Sequence, residues 1–117
     1  VPVNYEEAMK WYRLAADQNL DLAQNNIGTM YLLGQGVKQD YAEALKWLRL
    51  AADQGFDLAQ NNLGTMYAQG FGVELDNAEA MKWFRLAAEQ GNELAQSNLK
   101  MMQEQGIGER QDKGQAK

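Results

Sequence analysis

The 117-residue sequence contains no cysteine and no histidine. The first absence excludes disulfide bonds and thiolate chemistry. The second removes the base of a serine or cysteine triad and the commonest zinc ligand. Adjacent carboxylates such as Glu6 and Glu7 could in principle act as acid and base, but neighbouring helical residues point about 100° apart. We therefore predict a protein that is not an enzyme and that has no cofactor and no metal site.

The chain also lacks a basic excess and a long apolar run. Its formal net charge is −5, which argues against nucleic-acid or anionic-membrane binding, because both depend on a positive field. No stretch approaches the roughly 20 apolar residues of a membrane helix, and no signal peptide is visible. Hydrophobic residues make up 45% of the chain, which is enough for the core of one domain.

What the chain does have is an internal repeat with a period of about 36 residues. The segment KWYRLAADQ at Lys10 returns as KWLRLAADQ at Lys46 and as KWFRLAAEQ at Lys82. The rest of each unit recurs with the same spacing. The segments LAQNNIGTMY, LAQNNLGTMY and LAQSNLKMMQ begin at Leu22, Leu58 and Leu94.

A pair of glycines closes each unit. Gly34 and Gly36, followed by Lys38 and a helix, have the residue types of a phosphate-binding loop. Their spacing excludes one, because a P-loop has four residues between its glycines, and a dinucleotide fingerprint would need a third glycine at Gln39. The pair returns at Gly70 and Gly72 and at Gly106 and Gly108. We interpret the pairs as turns between units that need a positive φ.

Each unit carries the signals of two helices. A capping residue opens the first helix and a glutamate stands three residues later, as in a capping box. These pairs are Asn4 and Glu7, Asp40 and Glu43, and Asp76 and Glu79. The helix is predicted to end at a glutamine followed by a residue suited to the left-handed C′ position. These are Gln18 and Asn19, Gln54 and Gly55, and Gln90 and Gly91.

The first helix combines a wide apolar arc, with Leu14 on one shoulder, and a narrow polar strip. Such an arc suits a helix that packs against its partner and against both neighbouring units. We therefore interpret two rows of side chains as core. The alternative for the tryptophan row is a stacking platform for sugars or peptides, and that for the methionine row is an adaptable peptide groove. The rows are Trp11, Trp47 and Trp83, and Met9, Leu45 and Met81.

The second helix has two unusual features. Gly28 and Gly64 stand in its middle, where a glycine costs about 1 kcal/mol relative to alanine on an exposed helix, so we expect close helix contacts there. Amide side chains lie beside its apolar face and should bond between helices or repeats, with a ligand-reading ladder as the alternative. They are Gln24, Gln60 and Gln96, and Asn26, Asn62 and Asn98. Phe71, between two turn glycines, is expected to be exposed.

The units share the pattern A-x-x-W-[YLF]-R-L-A-A-[DE]-Q-G followed by A-Q-x-N-[IL]-G-x-M-Y-x-x-G-x-G-V-x-x-D. This pattern resembles the Sel-one-like repeat family, relatives of the tetratricopeptide repeat, from Asn4 to about Gly108. The resemblance implies an all-α fold, a right-handed α/α superhelical solenoid of three helix-turn-helix repeats. We assign residues 1–112 to this single domain, with repeats at about 5–40, 41–76 and 77–112, and 113–117 to a frayed polar tail.

Departures from the pattern are concentrated at the two ends. Lys100 replaces the glycine of the second helix, Gln103 its tyrosine and Glu109 the valine after the glycine pair. A terminal repeat needs such a polar outer face, so we expect the solenoid to end there. At the other end Val1 aligns with Val37, so we expect a further repeat upstream.

The resemblance implies that the first helices line the concave face of the solenoid. Their polar strips would then form a ladder across the repeats. Its nine residues are Lys10, Arg13 and Asp17; Lys46, Arg49 and Asp53; and Lys82, Arg85 and Glu89. Two cations per repeat could bind the carboxylates of an acidic or C-terminal peptide. The alternative is a solvated face on which each arginine pairs with the acidic residue four positions later.

The sequence thus predicts a scaffold that binds a partner protein or peptide on its concave face. One alternative function is an envelope-associated module that binds peptidoglycan or a secreted hydrolase, and another is a structural spacer within a longer repeat array. The bacterial cytoplasm and the periplasm or a secreted location both stay open, as does the oligomeric state.

Overall fold

The computed structural model describes residues 4–18 and 20–105, and the regular secondary structure within these ranges is helical. The helices are α1 (Tyr5–Ala16), α2 (Asp21–Leu33), α3 (Tyr41–Asp53), α4 (Asp57–Gln69), α5 (Asn77–Glu89) and α6 (Glu93–Glu104). The helices α1, α3 and α5 are the first helices of the sequence units, and α2, α4 and α6 are the second helices. The predicted all-α repeat architecture is confirmed. Some predictions concern residues outside the described ranges, namely Val1, Asn19, Gly106, Gly108, Glu109 and the tail 113–117.

The first helices begin at their predicted capping residues. The side-chain oxygens of Asn4, Asp40 and Asp76 accept a hydrogen bond from the backbone N–H three residues later, at 3.0, 3.1 and 3.0 Å. The second half of the predicted capping box is wrong for α3 and α5. The backbone N–H groups of Asp40 and Asp76 instead donate to the carbonyl oxygens of Tyr31 and Tyr67. That bond ties each cap to the preceding second helix.

We expect Asp40→Ala to lower the free energy of unfolding by about 1 kcal/mol, because the first turn of α3 loses its side-chain cap. Urea denaturation followed by circular dichroism would measure the loss. Asp40→Asn is the matched control, since asparagine caps α1 in the same way at Asn4. Equal losses in the two variants would contradict a capping role.

The first two glycine pairs form the predicted turns. Gly34 and Gly70 end α2 and α4 in the left-handed conformation, each with φ 71°. Close packing constrains Gly72, because a Cβ there would lie 2.5 Å from the Cβ of Tyr41. Phe71 is not exposed as predicted, since it is half-buried and its ring stacks on Tyr41 at a centroid distance of 5.0 Å. The described glycines with positive φ are Gly34, Gly36, Gly55, Gly70, Gly72 and Gly91.

Helices that follow one another in the chain pack together, and α2 also contacts α4. In the second and third units the tryptophan packs against the core of the preceding unit. Trp47 packs against the cluster that contains Ile27, and Trp83 is buried in the cluster that contains Leu48. The hydrophobic core is therefore continuous from unit to unit, as a repeat protein requires.

The mid-helix glycines make the close helix contacts that the sequence predicted. A Cβ on Gly28 would lie 2.7 Å from Leu48 Cγ, and one on Gly64 would lie 2.7 Å from the ring of Phe84. In both cases the contact is with the first helix of the following unit. Glycine is present because the next helix occupies the space that a side chain would need.

Two amide–amide hydrogen bonds cross each junction between units, at 2.5 to 3.1 Å. In each bond the later residue donates and the earlier one accepts. The pairs are Gln54 with Gln24, Asn62 with Asn25, Gln90 with Gln60, and Asn98 with Asn61. The predicted bonding role is confirmed for the amides in these pairs, and Gln96 donates to the carbonyl of Ala88 in its own unit. The acceptors Asn25 and Asn61 are buried.

Candidate functional site

The candidate site is the ladder, the exposed polar face of the three first helices. All nine of its residues are exposed. Each rung comes from one helix, on which i, i+3 and i+7 positions share a face. Within residues 4–18 and 20–105, no hydrogen bond or ion pair joins one rung to the next. The members are Lys10 and Arg13 on α1, with Asp17 as its C-cap; Lys46, Arg49 and Asp53 on α3; and Lys82, Arg85 and Glu89 on α5.

Two of the three lysines lie against their own helix. The Lys46 ammonium is 3.6 Å from the Glu43 carboxylate and 5.2 Å from the centre of the Trp47 ring. Lys82 makes the same contacts with Glu79 and Trp83, at 3.4 and 5.3 Å. Because these lysines stay exposed, the pairs contribute about 0.3 to 0.5 kcal/mol each. The ammonium groups are thus positioned but still accessible.

The arginines differ from rung to rung. Arg13 donates to the Tyr31 hydroxyl at 2.6 Å, and Arg49 donates to the hydroxyl of Tyr67. Arg85 has no equivalent partner, because Gln103 stands where the tyrosine would be. In the described part of the chain the guanidinium of Arg85 makes neither a hydrogen bond nor an ion pair. It is the arginine of the ladder that is free to bind an anion.

The ion pairs expected for a purely solvated face are not formed. Among the described residues, no arginine of the ladder pairs with the acidic residue four positions later. The tyrosine hydroxyls hold two of these arginines, and the side chains of Asp17, Asp53 and Glu89 are left exposed to solvent. The acidic end of each rung is therefore as available as the basic end.

A row of leucines runs through the ladder. Leu14, Leu50 and Leu86 are 54, 43 and 39% exposed. Sequence reasoning placed Leu14 at the shoulder of the apolar arc and so missed it as a surface residue. The signal was available, because on a 100° wheel Leu14 lies only 40° from Lys10. Each rung thus presents an exposed leucine beside its lysine.

Other features of the described residues lie away from the ladder. A groove of about 230 Å³ has Phe84, Asn98 and Met102 among its lining residues, and one of about 160 Å³ has Tyr12 and Asn26. No ladder residue lines either groove. No described helix has the length and apolarity needed to cross a bilayer. Likewise, the described side chains include no group of three or more potential metal ligands.

Fold and surface together define an α-helical repeat protein. The family model described as "Sel1 repeat" matches residues 1–20, 21–56, 57–92 and 93–117. The chain belongs to the Sel1 repeat family, whose members generally act as protein-interaction scaffolds and are typically non-catalytic. Three of the four matched segments begin at a second helix, so that α2 is grouped with α3 and α4 with α5.

Two solved bacterial structures are similar to this chain. One is c5321, a protective antigen of uropathogenic Escherichia coli strains that displays an SLR fold, with 46% identity and a TM-score of 0.87. The other is a Sel1 repeat protein from Oxalobacter formigenes, with 37% identity and a TM-score of 0.82. Each match covers 92% of this chain but only 23% and 44% of the respective structures. The chain therefore spans less than half of either. No curated protein matches the chain.

Proposed function

We propose that this protein is a scaffold that binds a partner protein through the ladder on its concave face. The observation that carries the proposal is the threefold recurrence of one exposed set: a lysine, an arginine, a leucine and a carboxylate at the same positions of α1, α3 and α5. Such a combination of apolar and charged side chains suits a protein-binding surface, because apolar anchors supply affinity while charges set orientation.

The chemistry of the ladder supports a partner with a carboxylate next to an apolar side chain. The free guanidinium of Arg85 can form a two-pronged hydrogen bond to a carboxylate. A partner with an acidic side chain or its own C-terminal carboxylate supplies that group. The neighbouring Leu86 would bury against an apolar side chain of the same partner segment. Binding should then weaken with added salt without being abolished by it, since salt screens only the charged contribution.

An affinity capture from source-cell lysate and envelope fractions tests the proposal. Four baits are compared: wild type, Arg85→Glu, Leu50→Ser, and the matched control Lys38→Glu. Lys38 is an exposed cation in the turn between α2 and α3 and does not belong to the ladder. We expect wild type and Lys38→Glu to retain the same protein, and both ladder variants to lose it.

Purified partner would then be titrated by calorimetry. We expect Arg85→Glu to raise Kd about tenfold, which corresponds to about 1.4 kcal/mol. Far-ultraviolet circular dichroism confirms that each variant is folded. Identical captures by all four baits would contradict binding at the ladder. Retention of peptidoglycan fragments by all four baits would instead favour the envelope-module alternative.

A further inference from the structure

The groove of about 230 Å³ lies between α4, α5 and α6, at the junction of the second and third units. All three helices contribute apolar lining: Ala68 from α4, Phe84 from α5, and Met101 and Met102 from α6. Phe84 and Met102 are 2 and 3% exposed, whereas Met101 is 50% exposed. The groove therefore has a buried base and an apolar wall that a partner can reach.

The junction between the first and second units carries larger side chains at two of the equivalent positions. Leu32 stands where the later junction has Ala68, and Tyr41 stands where it has Asn77. Both larger side chains pack against the cluster that contains Leu48. The later junction thus lacks an aliphatic and an aromatic side chain that the earlier one supplies from its own sequence. The earlier junction shows which chemistry packs at this location.

Size and charge limit what the groove can hold. Its volume of about 230 Å³ is below the roughly 300 to 1,000 Å³ of a small-molecule pocket, so it suits one large side chain. The described residues that line it include no aspartate, glutamate, lysine or arginine. A charged group would lose its hydration there without gaining an opposite charge. The side chain that fits is therefore neutral.

The lining favours an aromatic ring with a polar tip. Thioether groups such as that of Met101 make favourable contacts with aromatic rings, and a buried Phe84 adds an aromatic neighbour. Two exposed amide side chains, Gln69 and Gln105, also line the groove. Neither makes a side-chain hydrogen bond to a described residue, so both can bond a hydroxyl group. In the preceding unit Leu33 occupies the position of Gln69 and offers no such bond.

We infer that the groove between α4, α5 and α6 binds one tyrosine side chain of a partner protein. The ring covers the exposed wall at Met101, and the hydroxyl bonds the amides of Gln69 and Gln105. One side chain binds weakly alone, but it adds affinity to a partner that is held elsewhere on the protein. Since no ladder residue lines the groove, this binding does not depend on the ladder.

Titration with N-acetyl-tyrosinamide tests the inference, because this neutral probe presents the tyrosine side chain alone. Methionine methyl groups are labelled with ¹³C, and the Met101 signal is assigned with Met101→Leu. We expect the ring current of the bound probe to shift the Met101 signal but not that of Met9, which lies in the cluster around Ile27. N-acetyl-leucinamide should cause no such shift. N-acetyl-phenylalaninamide should bind about fivefold more weakly, because it lacks the hydroxyl group.

Two variants fill the groove with side chains that the chain already carries at the earlier junction. Ala68→Leu copies Leu32, and Asn77→Tyr copies Tyr41. Each should raise the Kd of the tyrosine probe about tenfold or more, because its added side chain occupies the binding space. The matched control is Ala42→Leu, which adds the same bulk at an exposed position of α3 and should leave Kd unchanged. Far-ultraviolet circular dichroism confirms that each variant is folded.

An unshifted Met101 signal up to the solubility limit of the probe would overturn the inference. Equal shifts with the leucine probe would overturn it as well, because the groove would then not select an aromatic ring. Equal binding by Ala68→Leu and Ala42→Leu would place the probe elsewhere on the protein. A Met101 signal that moves when the protein alone is diluted would assign the groove to a second copy of this chain instead.

Discussion

Gly64→Leu should lower the free energy of unfolding by about 3 kcal/mol or more. An added Cβ alone would lie 2.7 Å from the Phe84 ring and 3.2 Å from the carbonyl oxygen of Ala80. Phe84 is 2% exposed, so its ring has little space into which to move. Leucine improves helix propensity by only about 1 kcal/mol, which does not offset the separation of α4 from α5. Urea denaturation would measure the loss.

Two further variants show whether the clash is the cause. Lys10→Ala, on the exposed face of α1, should change stability by less than about 0.5 kcal/mol. Phe84→Ala should cost about 3 to 5 kcal/mol by leaving a cavity. Combined with Gly64→Leu, it should cost clearly less than the sum of the two, because the new side chain fills that cavity. Additive losses would mean that Gly64 and Phe84 do not share one space.

Features set by local chemistry could be predicted from the sequence. The caps at Asp40 and Asp76 depend on a carboxylate that lies three residues from the N–H it binds. The turn at Gly34 depends on a backbone conformation that few other residues adopt. The sequence could also predict that amide side chains form hydrogen bonds between units, since a buried amide needs a partner. Each of these signals recurs in several units, so that a pattern that is weak in one unit becomes specific for the fold when it is repeated.

Features set by a neighbouring unit could not be predicted from a single unit. Trp11 and Trp83 stand in nearly identical sequence, and they differ in burial only because a second helix covers one of them. The partner of Arg49 was missed because Tyr67 lies 18 residues away on another helix. Leu14 was misplaced because a wheel gives the angle of a residue but not the width of the covered face.

The rungs of the ladder are also unequal, because their contacts depend on residues of other helices. Loss of one tyrosine, at Gln103, frees Arg85 while Arg13 and Arg49 stay bonded to hydroxyls. A substitution that makes α6 more polar thereby also changes the ladder on α5. The helix α6 and the candidate site are coupled through one position. An average over the three units would miss this coupling.

Substitution of a tryptophan gives the second large expected effect on stability. Its size depends on the unit, because identical tryptophans have different neighbours. Trp83→Ala should cost about 3 to 5 kcal/mol of unfolding free energy. It removes a buried ring from the cluster around Leu48, together with the indole N–H bond to Glu79 at 3.1 Å. Trp11→Ala should cost less than about 1 kcal/mol, since most of that ring already faces water.

Urea denaturation followed by circular dichroism would compare the two losses, because fluorescence changes when a tryptophan is removed. Trp83→Phe separates packing from hydrogen bonding. It keeps most of the buried ring and should recover more than half of the loss, since the N–H bond contributes only about 1 kcal/mol of it. Equal losses for Trp11→Ala and Trp83→Ala would mean that the two faces are covered alike. That result would contradict the burial described for the two tryptophans.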